Sequence, residues 1–234
     1  MNISVMNKVS HDDRFDSLAI DLQGKQIPRF IAVEGNIGVG KTTLAKRLAR
    51  TFNYDTLLEQ AEENPFLDRF YLDRKNHALP TQLFFLFQRS RQFQELRQGD
   101  MFEPVRVADF LIDKDPLFAR VTLDDDELSL YIKVYEQLII DAPKPDLVVY
   151  LQAPVDVLMQ RIRQRGKMSE QAIDRQYLNQ LNEAYTQLFH YYSASPLLIV
   201  NATAIDLVNN PQDYKQLVEY MLTIKSGRHY FNPN

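Results

Sequence analysis

An α/β architecture, a parallel sheet of five strands flanked by helices, is predicted by three observations. Apolar runs suited to buried strands recur at 30–34, 56–59, 105–109, 146–151 and 197–201, and helical stretches fill the intervals. The first strand leads through a glycine-rich phosphate-binding loop into a helix. After the fourth strand, an amphipathic helix ends in a cluster of cations.

Residues 1–28 are polar and mixed in charge, with no secretory apolar core, and read as a loosely ordered arm closed by Pro28. A weak amphipathic piece around Phe15, Leu18 and Ile20 can dock on the body or on a partner. A single domain then runs from 29 to 226. Its first strand, Phe30-Ile31-Ala32-Val33-Glu34, is short, apolar and rich in β-branched residues. Gly35-Asn36-Ile37-Gly38-Val39-Gly40-Lys41-Thr42-Thr43 completes the pattern G-x-x-x-x-G-K-T, and Leu44, Ala45, Leu48 and Ala49 follow at helical spacing. A polyphosphate must be met by several backbone N–H groups at once, so Gly35, Gly38 and Gly40 let the chain approach it. Lys41 then reaches the outer phosphates, and the Thr42 hydroxyl is placed to bind a magnesium ion bridging them.

The second strand delivers Glu59 to the same edge of the sheet, as a general base or a polar strand cap. The third delivers Asp109, again as a functional carboxylate or a cap. Long helices are predicted at 80–98, 124–141 and 171–192. Asp124-Asp125-Asp126-Glu127 puts negative charge at the positive end of the second of these, which a solvated helix start explains better than metal binding. Asp146 to Leu151 and Leu197 to Asn201 are continuous runs, as expected of strands covered on both faces. Between them a helix begins near Pro154 and is broken by Gly166. Its last turn carries Arg161, Arg163 and Arg165, followed by Lys167. Such a segment is either an exposed helix end favouring the dipole or a lid whose cations neutralise a transferring phosphoryl group. Beside the phosphate loop the lid is preferred. Residues 227–234 form a polar-aromatic tail with no assigned chemistry.

The composition of the 234 residues, 45% hydrophobic and 25% charged, is that of a globular chain. A net charge of −4 and a pI near 5.6 argue against binding nucleic acid or anionic membranes by bulk electrostatics. The absence of cysteine rules out a disulfide framework and thiolate metal sites, and no apolar run approaches the roughly 18 residues that span a bilayer. These features predict a cytoplasmic protein acting on small molecules.

Several blocks, in order, make the chain resemble the deoxyribonucleoside kinase family over roughly Arg29 to Ile205. Val33-Glu34-Gly35-Asn36-Ile37-Gly38 is similar to the family's phosphate-loop entry, and Leu58-Glu59 to the segment carrying its catalytic carboxylate. Tyr71, nine residues before Pro80, stands where the family has a tyrosine contacting the sugar 3′-hydroxyl. Gln82, in Ala78-Leu79-Pro80-Thr81-Gln82, matches the glutamine that pairs with the base edge. Arg161-Ile162-Arg163-Gln164-Arg165 and Glu170 resemble the arginine-rich closure and the glutamate that holds the 3′-hydroxyl. Asn64-Pro65-Phe66-Leu67-Asp68-Arg69-Phe70-Tyr71 is similar to the bacterial branch that includes deoxyadenosine and deoxyguanosine kinases.

The resemblance implies a P-loop kinase fold with an arginine-rich lid, ATP on loop residues 35–43, magnesium held by Thr42 with Asp109 on the ion or on the water shell around it, Glu59 as base for the 5′-hydroxyl, lid arginines on the transferring group, and a homodimer through helices 80–98 and 124–141. It implies a purine deoxynucleoside as acceptor, deoxyadenosine before deoxyguanosine. Among the aromatics, Phe118 is favoured to stack on the base, with Phe84 or Phe85 possible; most of the others belong to the core. One departure stands out. The family carries an acid followed by arginine and serine after the third strand, whereas this chain reads Ala108-Asp109-Phe110. Counting back from Phe118 puts Ala108 at the acid's position, and a one-residue slip restores Asp109 to it. Lys114 or a lid arginine is then the candidate to replace the missing cation. A thymidylate-kinase-like enzyme shares loop, lid and fold, but it needs a cation for its substrate's phosphate, and none follows Asp109. A nucleotide-dependent switch is the non-enzymatic alternative; the chain lacks the N-K-x-D segment that reads guanine.

Overall fold

The computed structural model describes residues 20–98, 106–138, 142–203, 205 and 210–232. The proposed docking residues Phe15 and Leu18, position 105 of the third strand and 139–141 of the second long helix lie outside these; Ile20 packs against the core.

Six parallel strands form one sheet: β1 (Phe30–Gly35), β2 (Asp55–Leu57), β3 (Arg106–Ala108), β4 (Leu147–Gln152), β5 (Leu197–Asn201) and β6 (Arg228–Phe231), in the order β2-β3-β1-β4-β5-β6. The predicted count of five is therefore one short. β6 hides from a periodicity reading because it is a four-residue edge strand that opens on the polar pair Arg228-His229. It is fastened by tertiary contacts: the Arg228 guanidinium donates to Phe189 O and His190 O at the end of a helix.

The central strands β1, β4 and β5 are buried along nearly their whole length, as their unbroken apolar runs require. Asp146 ties β1 to β4 at their start by accepting from the backbone N–H groups of Arg29 and Phe30.

The helices are α1 (Lys41–Phe52), α2 (Leu67–Leu72), α3 (Arg74–Gln98), α4 (Asp115–Thr122), α5 (Asp125–Leu138), α6 (Val155–Arg165), α7 (Arg175–Tyr191) and α8 (Pro211–Met221). α3 begins six residues before the predicted start at Pro80, which lies inside it. Proline lacks the N–H that a helix interior uses. Here the neighbouring Thr81 hydroxyl bonds His77 O, and Asn64 Nδ2 bonds Thr81 O. α7 starts at Arg175, capped by the Asp174 carboxylate on Tyr177 N; the residues just before it form a short 3-10 turn, Ser169–Ala172. The acidic run before α5 is a capping box, in which Asp124 and Glu127 exchange backbone-to-side-chain bonds. α6 ends at Gly166 in left-handed conformation, as the sequence indicates.

Tyr177, Leu178, Leu181, Tyr185 and Phe189 form the buried stripe of α7. Phe189 stacks on Tyr150 of β4 with ring centroids 4.1 Å apart, so β4 and α7 share the aromatic centre of the core. This packing fixes the sheet edge from which the loops after β1, β2 and β3 emerge together.

Candidate active site

The phosphate loop is seated by contacts that leave no room for side chains. A Cβ on Gly35 would lie 2.5 Å from Leu151 O on the neighbouring strand, and one on Gly38 would lie 2.8 Å from Ile162 Cγ1 of α6. Both residues have positive φ. Asn36 is buried and turned inward, where its amide donates to Leu178 O (3.0 Å) and Asn182 Oδ1 (2.7 Å) of α7. Val39 is buried too. The loop thus presents Ile37, Gly38, Lys41, Thr42 and Thr43 to a cavity of about 860 Å³. Lys41 Nζ donates to Gly35 O and Asn36 O, and burial lowers its pKa against the pull of Glu34, Glu59 and Asp109.

Asp109, directly after β3, joins the phosphate loop to Glu59: its Oδ2 accepts from Thr42 Oγ1 (2.5 Å) and its Oδ1 from Glu59 N (2.8 Å). That placement corresponds to the one-residue slip, with the acid at 109. The hydroxyl and carboxylate beside a phosphate loop are hard oxygen donors of the kind magnesium takes. No cluster of three or more His, Asp or Glu able to hold a metal without substrate occurs among the described residues.

Glu59 lies two residues beyond β2, inside the same cavity. Burial pushes its carboxyl pKa up, but Lys114, Arg89 and Lys41 outweigh burial and hold it well below the usual carboxylate range. Arg89 of α3 bridges Glu59 with one nitrogen and Asp115 with another, and Lys114 Nζ is 3.2 Å from Glu59 Oε1. Of these two cations, Lys114 was a sequence candidate. Nothing in the sequence marks Arg89, which sits inside a helix whose mixed polarity shows no inward face.

Tyr71, Gln82, Phe118 and Glu170 all line the cavity with Glu59. Burial raises the Tyr71 phenol well above its usual pKa, so it is a neutral hydroxyl. Phe118 meets Tyr185 edge-on at 6.0 Å. Phe85 lines the cavity, whereas Phe84 lines a separate surface groove with Phe87.

The lid arginines diverge. Arg165 faces the cavity and pairs with Glu170, and Lys167 reaches across to Glu62. Arg161 instead braces the phosphate loop, donating to Val39 O (3.0 Å) and Ala202 O (2.8 Å), and Arg163 is exposed on the outside of α6. Helical geometry explains the split. Residues 161 and 165 stand one turn apart on one face, while 163 is about 200° from 161.

The model of the deoxynucleoside kinase family matches residues 31–224. A deoxyguanosine kinase of Bacillus subtilis is 36% identical over 201 residues, spanning 82% of this chain and 95% of the relative. A deoxyadenosine/deoxycytidine kinase of the same organism is 29% identical, spanning 83% and 92%. The solved structure of deoxyadenosine kinase from M. mycoides with bound dATP superposes with a TM-score of 0.72 at 25% identity, covering 84% of this chain and all of that one. The phosphate loop, strands β2 to β5 and the arginine-bearing α6 all fall within the matched span, and the chain belongs to the deoxynucleoside kinase family.

Proposed function

We propose that the enzyme transfers the terminal phosphoryl group of ATP to the 5′-hydroxyl of a purine deoxyribonucleoside, deoxyadenosine ahead of deoxyguanosine. One observation carries this reading. A single cavity joins Lys41 and Thr42 of the phosphate loop, the strongly acidic Glu59, and a recess lined by Tyr71, Gln82, Phe118 and Glu170. Such a cavity suits a donor phosphate at one end and a nucleoside at the other, with a base between them.

Glu59 accepts the proton of the 5′-hydroxyl while that oxygen bonds to the terminal phosphorus and the bond to ADP breaks. Lys41 and Arg165 neutralise charge on the group in transfer, and Arg161 keeps the loop in place. Tyr71 and Glu170 hold the 3′-hydroxyl. Thr42 and Asp109 would hold magnesium, which when bound draws negative charge from the phosphates.

At the far end, Gln82 offers a donor and an acceptor to a base edge. Asp115 Oδ2 is buried without a partner among the described residues. An unpaired buried acceptor favours a ligand amine. Adenine and guanine each carry an exocyclic amine, so the acceptor suits either purine; the B. subtilis relatives named for deoxyguanosine and for deoxyadenosine and deoxycytidine support a deoxynucleoside acceptor, a purine among them.

ATP-to-ADP turnover with magnesium, run against the four deoxynucleosides and their monophosphates with products weighed by mass, tests the assignment. Fastest turnover on deoxyadenosine is expected. Turnover on monophosphates alone would replace it with a nucleotide kinase, and turnover without any acceptor would favour a switch.

The enzyme works as a homodimer through α3 and α5, which pack together and expose Phe87 and Leu130. Light scattering should then give twice the 27.4 kDa chain mass. No helix among the described residues is long and apolar enough to cross a membrane, consistent with a cytoplasmic site of action.

A further inference from the structure

The position after Asp109 carries no charge. Phe110 is buried against Phe93 of α3, ring centroids 5.8 Å apart, in an apolar cluster with Leu57, Ala108 and Ile112. The cation beside the base comes instead from Lys114, four residues on, at the end of the 3-10 turn Ile112–Lys114. Its side chain is only 3% exposed. Its Nζ lies 3.2 Å from Glu59 Oε1 and 3.7 Å from Glu34 Oε2, and 5.8 and 6.0 Å from the ring centres of Phe118 and Phe110.

An ammonium group this deeply buried is tolerated only where carboxylates and ring faces replace its water. Glu34 is the fixed half of that cage. Its Oε1 accepts from Gly35 N (2.8 Å) and the Tyr185 hydroxyl (2.9 Å), and its Oε2 accepts from Leu111 N (2.8 Å). Those bonds tie it to the phosphate loop, the segment after β3 and α7. Glu59 is the half that meets the cavity, partly exposed and lining it. The other cation on Glu59, Arg89, is shared with Asp115 at the base end. Lys114 is the one anchored next to the phosphate loop.

We propose that Lys114 is the positioning residue for Glu59: clamped to Glu34, its ammonium fixes the carboxylate toward the 5′-hydroxyl, the work of a cation that Phe110 does not supply. The proposal rests on Glu59 being the base. A lysine suits the site because a point charge on a flexible stem can reach two carboxylates from a position six residues beyond the strand end.

Steady-state kinetics on Lys114→Met, Lys114→Arg, Glu59→Gln and the double variant Lys114→Met/Glu59→Gln tests it, with binding of a 5′-deoxynucleoside followed by calorimetry. Lys114→Met should lower kcat on the order of 100-fold while nucleoside KM and 5′-deoxynucleoside binding change less than about threefold. Lys114→Arg should recover at least about tenfold of that loss, and the double variant should be no slower than Glu59→Gln alone within about threefold. Additive losses, or a parallel loss of 5′-deoxynucleoside binding, would make Lys114 a structural residue and overturn the proposal. Near-normal kcat in Lys114→Met, with Glu59→Gln inactive, would overturn it and leave the base assignment standing; an active Glu59→Gln would remove the base assignment itself. If the methionine chain does not fold, Lys114→Gln, neutral but still a hydrogen-bond donor, is read by the same criteria.

Discussion

As the proposed base, Glu59 must be ionised and its carboxylate held in place, and the cations of Arg89 and Lys114 beside it meet both needs. Glu59→Gln keeps the shape of the side chain and removes its capacity to take a proton. It should lower kcat by about 10²- to 10⁴-fold with nucleoside binding retained, measured by turnover and calorimetry. The shift also sets a pH dependence. Because the folded carboxyl titrates below its unfolded value, the base form persists below the ordinary carboxylate range. Glu59 should therefore give no limb in kcat/KM for the nucleoside between about pH 8 and about pH 5.5; Asp115, which burial pushes up to about 6, is the group expected to titrate there, and a limb that survives Asp115→Asn would show that another group controls proton removal. The ionised carboxylate's stabilising contribution is likewise complete above about pH 4.5 and is lost only as pH falls further. Lys41, Glu59 and Asp109 were legible in the sequence because each sits just beyond a readable strand. Arg89 was not: it reaches Glu59 from the interior of α3, and only the packed structure reveals which turn of that helix faces the cavity. The outward direction of Arg163, by contrast, follows from its two-residue spacing from Arg161 and Arg165.

α6 bears on the phosphate loop as well as carrying the lid, and Gly38 is the point of contact. A methyl group there would lie 2.8 Å from Ile162 Cγ1 and 3.2 Å from Leu158 O, at a φ of +81° that suits glycine. Gly38→Ala must therefore move either the loop or the helix. The expected result is about 1–3 kcal/mol of lost stability and an ATP KM raised roughly tenfold, with nucleoside KM little changed. Thermal denaturation and kinetics with each substrate varied in turn provide the check, and an unchanged ATP KM would mean that the loop is not held by α6. Elements with strong local signals were predicted with ends shifted by a few residues: the buried runs of β1, β4 and β5, the capped start of α5, and α6 between Pro154 and Gly166. The early start of α3 and the existence of β6 depend on distant partners, namely Asn64 on the carbonyl of Thr81 and Arg228 on the end of α7. No periodicity within either segment encodes those partners.

At the scale of the molecule, the loops after β1, β2 and β3 line one opening together with residues of α3, α4 and the segment after α6. A chain of net charge −4 thereby concentrates Lys41, Arg89, Lys114, Arg165 and Lys167 around a single cavity. If that cavity holds both substrates, a ligand joining them gains from tethering, because binding one end raises the effective concentration of the other. Adenosine linked to deoxyadenosine through a polyphosphate should bind more tightly than either ATP or deoxyadenosine. At a hundredfold excess over its Kd it should stabilise the fold by about 2.7 kcal/mol, a rise in Tm of roughly 5–10 °C for a domain of this size. The comparison is made by thermal denaturation at equal ligand concentrations. A shift no larger than that given by the better single ligand would mean that donor and acceptor do not occupy one continuous site, and Glu59 would then lack the shared opening across which it is proposed to act.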